Sequence, residues 1–299
     1  MREVYVLGSL NMDLSIESDV FPNLGETMRG HNLTYNIGGK GLNQAIAASK
    51  LGAKVHLLGA IGKDPFGDAI KNYLAGFDFD CSFLSTLSDH PTGTAIIVLE
   101  KGDNRILLDL GANLAISHSS VDSLLSSSKK GDIFLTQLEN NLDATSYALA
   151  KAKDKGLITI LDPAPMDIGI LPYLHLVDIL TPNEGELLAL LREVPSISSI
   201  PSSNLLETLG KDGYRLYQNG LTKIEGKAIE IEVKDTTGAG DTFNGALAYR
   251  LSLGYPLDKE SLDYASLVAS ISTSRKGASI SCPTKKEVDE FLKTHPKHQ

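Results

Sequence analysis

The 299-residue sequence predicts an α/β fold built on a mostly parallel central sheet. Short β-rich runs alternate with amphipathic helical runs, the pattern of strands joined by crossover helices. No internal repeat or low-complexity segment interrupts that rhythm. A hydrophobic content of 42% beside 22% charged residues is ordinary for a globular protein with a large buried core.

Taken in order, residues 4–8 read as a strand, since four consecutive apolar residues end on a glycine. Residues 41–51, rich in alanine, read as a helix. A strand at 55–59 and a helix at 65–75 follow. Residues 133–136 form a strand, 144–155 a helix, 157–161 and 177–180 strands, and 183–191 a helix. The last third is helical, at 239–253, 259–274 and 285–293, and flanks the sheet. Two regions break the rhythm. Residues 11–17 and 31–37 alternate polar and apolar side chains, and 93–100 with 105–110 predict a hairpin around Gly102-Asp103-Asn104. Residues 11–17, 31–37 and 93–110 are therefore expected to form a small extra sheet inserted in one domain spanning 1–299. A sheet with an uncovered face has to cover something. A lid over a substrate is expected, and a dimer contact is compatible with it.

The bulk properties exclude several classes. Net charge is −9, and no basic patch marks a nucleic-acid footprint, so no nucleic-acid partner is expected. Cys81 and Cys282 are too few for a disulfide framework or a metal knuckle. The opening residues read as a strand rather than a signal peptide, and no apolar run approaches a membrane span. A cytoplasmic location without membrane partners is the expectation.

The run Asp235-Thr236-Thr237-Gly238-Ala239-Gly240-Asp241-Thr242-Phe243-Asn244-Gly245 carries the strongest chemical signal. A tight Gly-Ala-Gly turn opening into a helix leaves backbone N–H groups aimed outward at the positive end of the helix dipole. That arrangement is an anion hole. Asp241 beside it repels a phosphate, but serves as a base for a hydroxyl while the amides hold charge on a transferring phosphoryl group. Helix capping alone explains one Asp and one Gly, not two of each with two Thr in seven residues.

A second constellation lies near the other end. Gly38, Gly39 and Gly41 surround Lys40, and Asn43 follows on the first helical turn. Upstream, Asn11 and Asp13 follow the first strand, where an amide and a carboxylate suit sugar hydroxyls. Alone, the pair would read as an Asx turn. The Gly-Gly-Lys-Gly run is not a Walker loop, which needs four residues between its glycines and then Lys-Ser/Thr.

Together these runs resemble the ribokinase-like (PfkB-type) carbohydrate kinases, from Gly8 to about Pro283. Asp162-Pro163-Ala164-Pro165, Thr181-Pro182-Asn183-Glu184 and Arg275-Lys276-Gly277-Ala278 also fit. The resemblance implies a three-layer α/β/α fold with a β lid, often a homodimer through the lid. It implies transfer of phosphate from ATP to a sugar, O5 of D-ribose first. A 2-deoxyribose, hexose or nucleoside acceptor, or a catalytically silent sugar sensor, stands as the alternative. Asp241 matches the base, and Gly238, Ala239 and Gly240 the anion hole. Asn11, Asp13, Gly39, Lys40, Asn43 and Glu139 match sugar contacts. Asn183, Thr208, Gly210, Gly213 and Gly240 match the nucleotide side. Glu186, in Asn-x-x-Glu, matches a Mg²⁺ ligand acting through water; the same four residues also suit a capping box. Asp235, Thr237, Ser272, Arg275, Gly277 and Ser281 match a site for K⁺ built largely of carbonyls. The segment between Asn183 and Thr208 is shorter than the resemblance implies, with a loop at 195–203 in place of a helix. Glu207 also stands where a strand would want an apolar residue.

Overall fold

The computed structural model describes residues 1–100 and 103–295. β1 (Val4–Leu7) is followed by β2 (Asn11–Glu17), β3 (His31–Gly38), α1 (Lys40–Lys50) and β4 (Val55–Gly62). Next come α2 (Pro65–Leu74), β5 (Phe79–Asp80), β6 (Leu84–Leu87), β7 (Gly93–Glu100) and β8 (Asp103–Asp109). α3 (His118–Leu125), β9 (Ile133–Thr136), α4 (Leu142–Asp154), β10 (Ile158–Leu161), β11 (Ile179–Leu180) and α5 (Glu184–Glu193) form the middle of the chain. β12 (Asn204–Thr208), β13 (Tyr214–Gln218), β14 (Leu221–Gly226), α6 (Ala239–Ser252), α7 (Lys259–Thr273) and α8 (Lys285–Thr294) complete it.

The central sheet runs β14-β13-β12-β11-β10-β9-β1-β4-β5, with β6 also paired to β4. It is parallel except at one edge, where β13 pairs antiparallel with both β12 and β14. Every residue of β1 is buried, which is why its sequence is a continuous apolar run rather than an alternating one. Val4 and Val6 enter the core beneath α1, α2, α6, α7 and α8. Tyr5 and Leu7 enter the opposite core, beneath α3, α4 and α5. Helices on both faces give the expected three layers. The connections leaving β1 and β9 diverge at the β1–β9 pair, and a crevice at such a switch point binds ligands beyond the strands' carboxyl ends.

A second sheet runs β3-β2-β7-β8, with β2 and β7 parallel and the other pairs antiparallel. Its strands match the segments expected from alternation; Gly102, the centre of the expected hairpin turn, lies outside the described residues. Register places Tyr35, Leu14, Ile96 and Leu107 in one row across it, with Asp13 on the other face.

Some sequence expectations need correction. The helix expected at 144–155 begins at Leu142, because the Asn141 side chain accepts from the Ala144 amide and caps it earlier. β13, β14 and α3 were not expected. Glu207 does sit in a strand: the residue is 8% exposed, and the Tyr217 hydroxyl donates to its carboxylate at 2.9 Å. The short segment after Asn183 holds α5 and one 3-10 turn at Ile197–Ser199, and that single crossover helix suffices for a parallel connection.

Candidate active site

The end of β1, the start of β2 and the head of α1 are tied together by one carboxylate. Glu139, just past β9, accepts through Oε2 from Ser9 Oγ at 2.5 Å, Asn11 Nδ2 at 3.3 Å and the Lys40 amide at 3.1 Å. Burial pushes its pKa up, against the pull of Ser9 and Lys40. Asp13 faces the same space. Burial, then the charges of Glu139 and Asp241, push its carboxyl up to about 7.

Asp241 enters from α6. It is 5% exposed, and both oxygens are held by α1: Asn43 Nδ2 donates to Oδ2 at 2.9 Å and Gln44 Nε2 to Oδ1 at 3.1 Å. Gln44 Nε2 also donates to Asp162 Oδ2 at 2.8 Å, and Gln137 Nε2 donates to Gln44 Oε1 at 2.6 Å. The Gln137 bond fixes which end of the Gln44 amide faces the two carboxylates. Burial, with a further contribution from Asp241, pushes Asp162 up to about 8 despite the opposing charge of Lys40.

The glycine turn does what its sequence requires. Gly238 caps α6 in the left-handed region, φ 73°, where a side chain would be strained. The Ala239 amide bonds to Thr236 and that of Thr242 to Gly238, which leaves the intervening amides of Gly240 and Asp241 without an acceptor among the described residues. A Cβ built at Gly240 would meet nothing within 4 Å, so the space above those amides is open. This turn lines a cleft of about 360 Å³ together with Lys40, Asp162, Asn183, Glu186, Thr208 and Gly210. Burial works against the Lys40 ammonium, but Asp241, Asp162, Glu139 and Glu186 outweigh it and hold the amine above its ordinary pKa.

On the far wall Asn183 and Glu186 form a reciprocal capping box. The Glu186 amide donates to Asn183 Oδ1 at 2.9 Å, and the Asn183 amide and Nδ2 each donate to Glu186 at 2.8 Å. Burial raises the Glu186 pKa, against those hydrogen bonds. Thr208 is anchored through its amide to Pro182 at 2.9 Å. Gly213 closes the turn between β12 and β13 and is not among the residues lining the cleft. Asp235 accepts from the Thr237 amide and hydroxyl and from the Gly277 amide. Nearby, Ser272 and Ser281 donate to backbone carbonyls and Arg275 pairs with Glu287 at 2.8 Å. A larger cavity, about 510 Å³, lies by Arg2, Lys153 and Asp178. It contains none of these residues, and its Lys153 and Asp178 are spent on each other.

The two ends of the chain thus meet: Lys40 lines the cleft with the glycine turn and Asp241, Asn43 bonds Asp241 directly, and Asn11, Asp13, Gly39 and Glu139 lie next to them but outside the cleft's lining. The pfkB family carbohydrate kinase model matches residues 1–285. The chain belongs to that family. Among relatives of this pfkB-family chain, a ribokinase of Haemophilus influenzae is 36% identical over 97% of this chain and 98% of its own. The crystal structure of ribokinase from Thermotoga maritima has a TM-score of 0.87 at 31% identity, covering 98% of this chain and 100% of its own. The structure of Arabidopsis thaliana ribokinase complexed with ribose and ATP has a TM-score of 0.85 at 30% identity, covering 98% and 99%. Among the described residues of this pfkB-family chain, no helix is long and apolar enough to cross a membrane.

Sequence reasoning missed Gln44, Asp162, Asn113 and Asn244. Asp162 carried a signal, an Asp-Pro step directly after a strand. Gln44 carried one too, as an amide one turn along the helix from Lys40. Asn244 lines the cleft, with its Oδ1 buried and unpartnered.

The raised carboxyl of Asp162 gives a stability prediction. Its folded pKa lies above the ordinary value of 3.8, so its contribution to stability is full below that value and is lost as pH rises towards about 8. Asp162→Asn keeps an oxygen for Gln44 and removes the titration. In urea denaturation, stability of the variant relative to wild type should therefore rise from pH 5 to pH 8 and then level off. A constant difference would contradict the assignment.

Proposed function

We propose that this pfkB-family kinase transfers the γ-phosphate of ATP to the 5-hydroxyl of D-ribose. One observation carries the reading: a buried carboxylate, Asp241, stands on the same helical turn as two unpaired amides that open on a cleft. Full-length likeness to ribokinases supports the choice of sugar.

In this reading Asn11, Asp13, Gly39, Lys40, Asn43 and Glu139 bind the sugar. Asn43 and Gln44 hold Asp241 so that one oxygen accepts the hydroxyl proton as the new O–P bond forms and the bond from the γ-phosphorus to the β-phosphate oxygen breaks, releasing ADP. The unpaired amides of Gly240 and Asp241 receive the charge on the transferring group, with Lys40 opposite, while Ala239, whose own amide is bonded to Thr236, shapes the turn with Gly238. Asn183, Thr208, Gly210 and Gly240 hold the nucleotide, and Gly213, outside the cleft, closes the turn that carries Gly210. Glu186 is a carboxylate lining the cleft beside Asn183, and a hard ion that keeps its waters suits it, so it would hold Mg²⁺ through water. When bound, Mg²⁺ neutralises phosphate charge. The side chains of Asp235, Ser272, Arg275 and Ser281 are committed to protein partners. A K⁺ ion among Asp235, Thr237, Ser272, Arg275, Gly277 and Ser281 would therefore rest on backbone carbonyls and order the turn.

The second sheet acts as the lid, and a homodimer through it would cover Tyr35, Ile96 and Leu107, which are 59%, 48% and 72% exposed in one row. The cytoplasm, which keeps thiols reduced, suits the free Cys81 and Cys282. Coupled ADP release across ribose, 2-deoxyribose, hexoses and nucleosides, with and without K⁺, tests the proposal. Ribose should give the highest kcat/KM, with K⁺ raising turnover. A silent enzyme, or a preferred nucleoside, would refute it.

A further inference from the structure

The geometry points to Asn113 as a positioning residue that locks the Asn11 amide in one orientation and so makes the pocket selective for a hydroxylated sugar carbon over its deoxy analogue. This rests on the reading of the crevice as a ribose site.

Asn113 lies in the 3-10 turn Gly111–Ala115, directly after β8 leaves the second sheet. Its side chain is fully buried. Oδ1 accepts from the Leu10 amide at 3.0 Å, and Nδ2 donates to Asn11 Oδ1 at 2.8 Å and to the Leu10 carbonyl at 3.3 Å. The Leu10 amide fixes which end of Asn113 faces Asn11. The Asn113 nitrogen can only donate, so it fixes Asn11 in turn: the Asn11 oxygen faces it and the Asn11 nitrogen is turned to Glu139, 3.3 Å away.

The two orientations of a carboxamide have nearly the same shape, so only such partners decide between them. With its oxygen turned to Asn113, Asn11 directs its N–H, not its oxygen, towards Glu139. Glu139 takes its protein bonds through Oε2, and its Oε1 accepts none among the described residues. A ligand group set between that N–H and that carboxylate has to accept one hydrogen bond and donate another. A hydroxyl does both; a methylene does neither.

The lock also sits at the root of the second sheet. Gly93, the first residue of β7, pairs with Asn11. A methyl group at Gly93 would overlap both Asn11 Oδ1 and Asn113 Nδ2. The starts of β2 and β7 and the exit from β8 therefore meet at one amide pair, which needs a glycine beneath it.

Asn113→Ala and Gly93→Ala break the lock by different routes, one by deletion and one by crowding. Each is assayed with ribose, 2-deoxyribose and 3-deoxyribose, with ribose binding measured by calorimetry without ATP. The ribose KM and Kd should rise about tenfold or more while kcat and the ATP KM change little, the cost of losing one buried, oriented hydrogen bond. Selectivity for ribose over one of the deoxy sugars should fall about as far, because that analogue lacks the hydroxyl the lock serves. A merely structural role would weaken all three sugars equally, and that result overturns the inference, as does a folded variant with unchanged ribose KM. If Asn113→Ala fails to fold, Gly93→Ala decides alone, and its failure to fold as well overturns a role confined to selectivity. A wild type that neither binds nor phosphorylates ribose refutes the proposed function together with the lock. An active wild type with indifferent variants refutes the lock only.

Discussion

Asp241→Asn will lower turnover by about 10²–10⁴-fold, the usual worth of a positioned general base, while ribose binding measured by calorimetry stays within a few-fold of wild type. The separation follows from the contacts. Asn43 and Gln44 each donate to a different Asp241 oxygen. Asparagine keeps one of those acceptors and loses the other, so α1 and α6 stay docked with one hydrogen bond fewer. Those helices are also joined by apolar packing through Leu42, Ala45, Ala246 and Leu247, all fully buried, which the substitution does not touch. What disappears is the group able to take the hydroxyl proton. A loss of ribose binding as deep as the loss of kcat would make Asp241 a binding residue instead.

Lys40→Met will cost about 10²–10³-fold in kcat, the scale of removing one donor from a transition-state anion site. Lys40 is the sole Lys or Arg lining the cleft among the described residues, and it faces Asp241, Asp162, Glu139 and Glu186. Methionine preserves most of the stem, so packing is largely retained. Loss of the cation leaves the carboxylates to repel each other and any phosphate. It also disfavours the ionised forms of Asp162, Glu139 and Glu186, which its charge favours, so Asp162, whose carboxyl is already pushed up to about 8, titrates at still higher pH. The acid limb of the pH–rate profile should therefore move to higher pH in the variant. A variant with normal kcat and an unmoved acid limb would show that Lys40 does not face the reacting phosphate.

Much of this was legible in the sequence because local rules fix it. A Gly-Ala-Gly run at the start of a helix leaves first-turn amides open, here those of Gly240 and Asp241, and the alternation of strands and helices follows from burial on both faces of a parallel sheet. Asn11, Asp13 and Asn43 were readable as candidates from their places after the first strand or at a helix start. Gln44 and Asn113 were not, because their roles arise only on folding: Gln44 meets an aspartate 197 residues away, and Asn113 meets Asn11 across 102 residues. β13 and β14 escaped notice for a different reason. They form an edge hairpin, and β14 is mostly exposed, so its side chains lack the apolar pattern that marks a strand.

The most direct test of the account is to identify the product. Phosphorus NMR of a reaction holding this protein, ATP, Mg²⁺, K⁺ and D-ribose should show stoichiometric ADP and a phosphomonoester coupled to the two protons on C5. Phosphate carried on C1, or ATP left intact after wild-type protein has bound ribose, would contradict it.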